Sequence, residues 1–228
     1  MKLLVKICGI NHPAAMAAAV DGGAAMVGLV FYPRSPRAVT SDQARAVAAR
    51  VPERVTRVGV FVDPPDALIA ESIGAAGLGL IQLHGREDVA RVAAIRARFG
   101  LPVMKAITVA NAADLDQADR YRPVVDRLLF DARAEAGADS LPGGIGKAFD
   151  WRLLAGRSWS CPWLLSGGLN EGNLAEAVAI TGARGVDVSS GVEDRPGVKS
   201  PARIVAFLEA AAAIDPERPA APRAAGEA

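Results

Sequence analysis

The stretch "GLIQLHGREDVARVAAIRARFGLPVMKAIT", residues 79–108, combines two apolar runs with an amphipathic segment between them. The runs "GLIQLHG" (79–85) and "PVMKAIT" (102–108) lack clean alternation of apolar and polar residues, which is typical of strands buried on both faces. The segment "REDVARVAAIRARF" (86–99) has helical spacing. Strand, helix and strand in this order predict a βαβ unit with parallel strands.

The same alternation recurs along the chain. Six further apolar runs are predicted strands, at 3–9, 25–32, 57–62, 127–132, 162–168 and 185–191. Further helical segments lie at 41–51, 170–181 and 200–214, with candidate N-caps at Asn11, Ser41, Asn170 and Ser200, and 149–154 is a short helix at best. Eight strands alternating with about eight helices predict an α/β fold, the (β/α)8 TIM barrel. An open doubly wound sheet is disfavoured, because no G-x-G-x-x-G turn follows the first strand.

Composition narrows the class of protein. The chain has 228 residues, 51% of them apolar, and a net charge of +1. We expect one barrel domain over 1–214 and a disordered tail at 215–228, which has three prolines and no apolar periodicity. The sequence has no stripe of basic residues of the kind that binds nucleic acid. Neither a membrane-spanning helix nor a signal peptide is expected. Two cysteines imply no disulfide framework and fit a reducing cytoplasm.

Glycine-rich loops are predicted to follow the last three strands: "PGGIGKAFDW" (142–151), "LSGGL" (165–169) and "VDVSSGVE" (186–193). Glycine lets backbone amides approach an anion closely, and barrels often bind phosphate after strands seven and eight. The candidate donors are the amides of Gly144, Gly146, Gly168 and Ser190 and the hydroxyl of Ser189 or Ser190. The alternative is that the three loops are ordinary glycine-rich turns with no ligand. Because all three loops are predicted at the same end of the barrel, the phosphate-binding type of barrel is favoured.

Two reactive side chains end predicted strands one and six. Cys8 and Asp131 would lie on nearly opposite sides of the barrel mouth, one as base and one as acid toward a small substrate. Lys6 points to the same face of its strand as Cys8, and its charge would lower the pKa of the thiol. A buried hydrophobe is the alternative for Cys8, and a cap or turn for Asp131. Cys161 precedes strand seven at the other barrel end, beyond disulfide reach.

Other strand ends carry groups that could hold an anionic substrate. Arg34 and Arg37 of "FYPRSPR" (31–37) could grip a carboxylate with paired N–H donors, or be solvated loop residues. His84 ends strand four and could bind a ligand or be a satisfied rim histidine. The chain has two histidines and neither an H-x-x-x-H nor a C-x-x-C motif, so few residues are available as metal ligands. It also lacks the G-x-S-x-G motif that is typical of serine hydrolases.

The chain resembles the phosphoribosylanthranilate isomerase family of tryptophan biosynthesis in an ordered series of motifs. The motifs are "KICGI", "FYPRSPR", "VGVFV", "QLHG", "GGIGKAFDW", "LSGGL", "VDVSSGVE" and "PGVKS". The resemblance covers about residues 2–210. Related phosphate-binding barrels share the "SGG" glycines but not "KICG" or "FDW", which makes the combination specific.

The resemblance implies an Amadori rearrangement of N-(5-phosphoribosyl)anthranilate to 1-(2-carboxyphenylamino)-1-deoxyribulose 5-phosphate. It implies Cys8 as general base, Asp131 as general acid, Arg37 on the anthranilate carboxylate and the glycine loops on the phosphate. The expected substrate-binding residues are Arg37, His84, Gly144, Gly146, Gly168, Asp187, Ser189 and Ser190. No cofactor or metal is expected. The expected partner is a phosphorylated small molecule, with no nucleic acid and no membrane, for a monomer or homodimer in the cytoplasm.

Two other interpretations stay open from the sequence. Another sugar-phosphate barrel, of the pentulose-phosphate epimerase or indoleglycerol-phosphate synthase type, would need a metal-type His/Asp pair or a lysine–glutamate acid–base set. A non-catalytic barrel that binds a phosphorylated ligand would need neither Cys8 nor Asp131. A broader substrate range, including a sugar phosphate of histidine biosynthesis, would use the same acid–base chemistry.

Overall fold

Eight parallel strands close into a barrel in chain order, with β8 paired back to β1. The computed structural model describes residues 2–132 and 149–215. The strands are β1 Leu4–Cys8, β2 Met26–Val30, β3 Thr56–Phe61, β4 Leu80–Leu83, β5 Val103–Val109, β6 Arg127–Ala132, β7 Trp163–Leu165 and β8 Gly185–Val188. All eight predicted strands and the predicted (β/α)8 barrel are therefore confirmed.

Seven α-helices lie in the described part of the chain. They are α1 Pro13–Asp21, α2 Ser41–Ala48, α3 Asp66–Ala76, α4 Val89–Phe99, α5 Ala112–Tyr121, α6 Leu174–Thr181 and α7 Pro201–Ala212. The segment predicted to be a short helix at best is a single 3-10 turn at Trp151–Leu154. A two-stranded hairpin, β9 Glu193–Arg195 with β10 Val198–Lys199, follows β8. These strands are too short to give a periodic sequence signal, so the hairpin was not predicted.

The caps of the first two helices lie one residue away from the predicted ones. Asn11 donates its side-chain amide to the carbonyl of Gly197 instead of capping α1. His12 is the cap, and its Nδ1 accepts the amide hydrogen of Ala15. Thr40 rather than Ser41 caps α2, within a reciprocal capping box. The prediction for Asn11 failed because a distant loop takes its side chain, and the side chain of Ser41 bonds to Glu71 of α3.

The last two predicted caps differ in outcome. Asn170 accepts the amide hydrogen of Gly172 in the turn before α6, and Asn173 occupies the cap position. Ser200 is the cap residue of α7, as predicted, although its side chain makes no capping hydrogen bond. A polar residue three positions early was mistaken for a cap because turns and caps favour the same residue types.

The residues of each strand alternate between two hydrophobic cores. The core inside the barrel contains Met26, Val58, Leu80, Met104, Leu129 and Leu164. Side chains two positions farther along a strand face the same side. Gln82, Asp131 and Ser166 therefore face the barrel interior at the carboxyl ends of their strands. This register gathers polar groups at one end of an apolar interior.

The remaining features are a tryptophan, the two cysteines, the C-terminal tail and the helix lengths. Trp159 is partly buried against the larger hydrophobic core, and its ring centroid lies 4.3 Å from that of Phe130. Both cysteines are free, as expected. The expected tail lies outside the described residues apart from Asp215, and the domain boundary stays a prediction. Within the described ranges, no helix is long and apolar enough to cross a membrane.

Candidate active site

Cys8 ends β1 beside a buried ion pair. Lys6 is fully buried, and its Nζ donates to Asp187 Oδ1 at 2.8 Å. Asp187 Oδ2 accepts the hydroxyl of Ser166 at 3.2 Å. The pairing of β1 with β8 places Lys6 directly opposite Asp187. A buried charge pair needs this kind of additional hydrogen bonding, because both groups have lost their hydration.

Gly28 on the neighbouring strand leaves room for the cysteine and the lysine. A Cβ on Gly28 would lie 3.1 Å from Cys8 Sγ and 3.2 Å from Lys6 Nζ. Any larger residue would push at least one of these atoms away. The absence of a side chain at this position therefore lets the thiol and the ammonium group share one small space.

The electrostatic balance at Cys8 differs from the sequence-based expectation. Burial raises the pKa of the Cys8 thiol, and the positive charges of Lys6 and Lys199 only partly oppose this effect. Burial acts to lower the pKa of Lys6, but Asp187 and Cys8 together hold it above its ordinary value, so the ammonium stays charged. The predicted cation is present at Cys8, but the net pKa shift of the thiol is upward.

Asp131 lies in a line of three polar side chains. Its Oδ2 is 3.2 Å from His84 Nε2, and its Oδ1 accepts the amide hydrogen of Ala132 at 2.9 Å. Gln82 Nε2 lies 3.1 Å from His84 Nδ1. His84, expected to bind substrate, thus contacts the candidate acid, and its contact with a ligand stays a prediction. Gln82 was not singled out from the sequence, although it lies in "QLHG".

Arg37 is buried and held in place, whereas Arg34 is exposed. The Nε and Nη2 atoms of Arg37 donate to the carboxylate of Glu193 at 2.7 and 2.8 Å. Lys199 Nζ donates to the same carboxylate at 2.6 Å and to the carbonyl of Ser189 at 2.8 Å. The hairpin after β8 therefore orients Arg37. Sequence reasoning missed Glu193 and Lys199, whose available signal was their presence in "VDVSSGVE" and "PGVKS".

Burial sets the charge balance of this second cluster. Burial would raise the pKa of Glu193, but Arg37 and Lys199 hold it below its ordinary value. Burial lowers the pKa of Lys199 to about 8, against the pull of Glu193. Glu193 is therefore a stable carboxylate for Arg37, while Lys199 begins to lose its charge in mildly alkaline solution.

The candidate phosphate loops come together as far as they are described. Gly168 follows β7 with a left-handed φ of +68°, and Ser189 and Ser190 follow β8, so these three residues lie at the same end of neighbouring strands. Gly144 and Gly146 lie outside the described residues. Anion binding by this group stays a prediction. Over 2–132 and 149–215, no cluster of three or more potential metal ligands occurs.

Comparison with known proteins identifies the family. The family model described as N-(5'phosphoribosyl)anthranilate (PRA) isomerase matches residues 5–210. The N-(5'-phosphoribosyl)anthranilate isomerase of Rhodospirillum centenum is 60% identical over 94% of this chain and 100% of the relative.

Solved structures agree in fold and extent. A crystal structure of phosphoribosyl anthranilate isomerase in complex with reduced 1-(o-carboxyphenylamino)-1-deoxyribulose 5-phosphate has a TM-score of 0.78 and 35% identity, covering 92% of this chain and 98% of that chain. A structure of monomers generated from the dimeric enzyme of Thermotoga maritima has a TM-score of 0.77 and 35% identity, with the same coverage. A barrel with these motifs in this order, matched over nearly its whole length, belongs to the phosphoribosylanthranilate isomerase family.

Proposed function

We propose that Cys8 and Asp131 are the acid–base pair with which this phosphoribosylanthranilate isomerase performs its Amadori rearrangement. The observation that carries the proposal is their common position. Each lies at the carboxyl end of its strand, and each is buried beside a polar partner, Lys6 for the thiol and His84 for the carboxyl group. Catalytic groups of (β/α)8 barrels come from such strand ends.

In the proposed sequence Asp131 acts first. It gives a proton to the ribose ring oxygen of N-(5-phosphoribosyl)anthranilate, the bond from that oxygen to C1 breaks, and the nitrogen lone pair forms a Schiff base. The buried position of the carboxyl group, 3% exposed, keeps its proton away from bulk water. His84 Nε2 and the Ala132 amide hold the two carboxyl oxygens in place for this transfer.

Cys8 then completes the rearrangement. Its thiolate removes the proton from C2, and the electron pair of that C–H bond forms a C1–C2 double bond while the Schiff-base nitrogen is neutralised. The resulting enolamine tautomerises to the ketone. Lys6 supports this step because its ammonium group stabilises the thiolate inside a site where burial alone disfavours it.

The substrate has two anionic groups, the anthranilate carboxylate and the phosphate, and each needs its own binding residues. We assign the anthranilate carboxylate to Arg37, whose guanidinium is held in one orientation by Glu193. The phosphate is assigned to the loops that carry Gly168, Ser189 and Ser190, together with Gly144 and Gly146. Asp187 holds Lys6 and Ser166, which supports a role in orienting the lysine, and its direct contact with substrate stays a prediction.

The oligomeric state and the cellular location are proposed from one relative and from the two cysteines. A homodimer or a monomer is expected, and the Thermotoga maritima relative is described as dimeric. Light scattering after size-exclusion chromatography distinguishes the two states. We propose the cytoplasm as the location, and the free state of both cysteines supports this.

The test compares variants for turnover of phosphoribosylanthranilate generated in situ and followed by loss of anthranilate-type fluorescence. Cys8→Ala and Asp131→Asn should each lower kcat by at least ~10²-fold, the scale of general acid–base catalysis. Cys161→Ala is the matched control, because it removes the other free thiol, which precedes β7 at the opposite barrel end. Full activity in Cys8→Ala or Asp131→Asn would remove that residue from the mechanism.

A further inference from the structure

Gln82 is a buried polar residue that the reaction steps above do not use. It lies in β4, faces the barrel interior and has 0% exposure. Its Nε2 lies 3.1 Å from His84 Nδ1. Its Oε1 has no hydrogen-bond partner within the described residues. A buried amide with an unpaired oxygen costs stability, so this residue calls for an explanation.

The contact with Gln82 decides which nitrogen of His84 carries the proton. An amide N–H₂ group only donates, so Nδ1 of the imidazole must accept and holds a lone pair. The ring proton of the neutral histidine is then on Nε2, the atom that lies 3.2 Å from Asp131 Oδ2. Gln82 thus donates to His84, and His84 donates to Asp131.

We propose that Gln82 is a positioning residue that fixes the tautomer of His84 and so keeps a hydrogen-bond donor aimed at Asp131. The proposal rests on the assignment of Asp131 as general acid. With the opposite tautomer, a lone pair on Nε2 would face the carboxyl group. That nitrogen would either repel the carboxylate or take the acidic proton that the substrate ring oxygen needs.

The first test reads the tautomer directly and does not depend on turnover. The chain has two histidines, so ¹⁵N–¹H correlation spectra of the ¹⁵N-histidine-labelled protein contain two imidazoles, and His12→Asn assigns them. At about pH 8.5 the wild type should show His84 as the Nε2–H tautomer, and Gln82→Leu should show a mixture of both tautomers. An Nδ1–H wild type, or an unchanged tautomer in Gln82→Leu, would overturn the proposal.

The second test separates tautomer control from packing. Gln82→Leu should lower kcat about tenfold with KM within about twofold of the wild type, because Arg37 and the phosphate loops, which are assigned to the two anionic ends of the substrate, are untouched. His84→Gln replaces the ring by an amide that has no tautomers. In that background Gln82→Leu should lower kcat less than about twofold, since nothing remains for Gln82 to control. An equal loss in both backgrounds would mean that Gln82 acts only through packing and would refute the proposal.

Two controls guard against indirect effects. Ser72→Ala in α3 removes another buried, unpartnered polar atom and should leave kcat and the tautomer of His84 unchanged. Gln82→Met replaces Gln82→Leu if the leucine variant does not fold, and the same outcomes are expected. If Asp131→Asn proves active while His84 keeps the Nε2–H tautomer in a Gln82-dependent way, the acid assignment fails, and only the control of the His84 tautomer by Gln82 stands.

Discussion

Replacement of Lys6 by methionine tests whether a buried cation supports the base. Cys8 Sγ lies 3.1 Å and Lys6 Nζ 3.2 Å from the point where a Gly28 Cβ would stand, so the two atoms are at most about 6.3 Å apart. At an effective dielectric constant of about 20, a charge pair at that distance is worth about 2.6 kcal/mol, and a closer pair is worth more. Loss of the ammonium should therefore raise the pKa of Cys8 further, because the charge of Lys6 opposes the effect of burial.

The consequence is a displaced pH profile. The thiolate is the active form and burial already raises the pKa of Cys8, so wild-type kcat/KM should rise with pH above neutrality. The slope is about tenfold per pH unit until the pH reaches the pKa of the thiol. In Lys6→Met the same rise should begin at higher pH. Below that range kcat/KM should fall about 100-fold, the factor that corresponds to an interaction of about 2.6 kcal/mol.

Loss of the lysine also leaves Asp187 buried without its cation. Breaking a buried pair costs about 3–5 kcal/mol, so folding of Lys6→Met is checked by circular dichroism and thermal unfolding. The double variant Lys6→Met, Asp187→Asn removes both charges and should regain stability. Asp187 raises the pKa of Cys8, so the double variant should also have a lower thiol pKa than the single variant.

The assay measures the alkylation rate of Cys8 by iodoacetamide against pH, beside the pH profile of kcat/KM. A Cys161→Ser background leaves one reactive thiol in the chain. Agreement of the two profiles identifies the titrating group as Cys8. A folded Lys6→Met protein with the wild-type alkylation profile would refute the argument that this lysine supports the thiolate.

Two further substitutions probe the space around the base and the holder of the carboxylate. Gly28→Ala would place a methyl group 3.1 Å from Cys8 Sγ, so kcat should fall about tenfold while the circular dichroism spectrum stays unchanged; wild-type kcat would show that the position of the thiol tolerates movement. Glu193→Gln removes the charge that holds the Arg37 guanidinium, so steady-state kinetics should show KM raised about tenfold with kcat within about threefold. A changed kcat with an unchanged KM would contradict the assignment of Arg37 to substrate binding.

The sequence predicted the barrel because local pattern encodes its parts. Eight apolar runs without alternation correspond to the eight strands, since parallel strands covered on both faces are mostly apolar on both. Lys6 in β1 and Gln82 in β4 are buried polar exceptions. The same pattern located Cys8 and Asp131 at strand ends, and the parity of the strand placed Lys6 beside Cys8. The predictions that failed locally, such as Asn11 as a cap, failed where a distant segment competes for the side chain.

The sequence by itself therefore determined the order of strands and helices, the end of the barrel that carries the site, and the acid–base candidates, because these depend on residues close together in the chain. Only the tertiary structure decided their partners. Arg37 meets Glu193 across 156 positions of sequence, and His84 meets Asp131 across the intervening strand β5. Closure of the barrel also decided the direction of the pKa shift of Cys8, because desolvation depends on everything packed around the thiol, and no local pattern of residues records that burial.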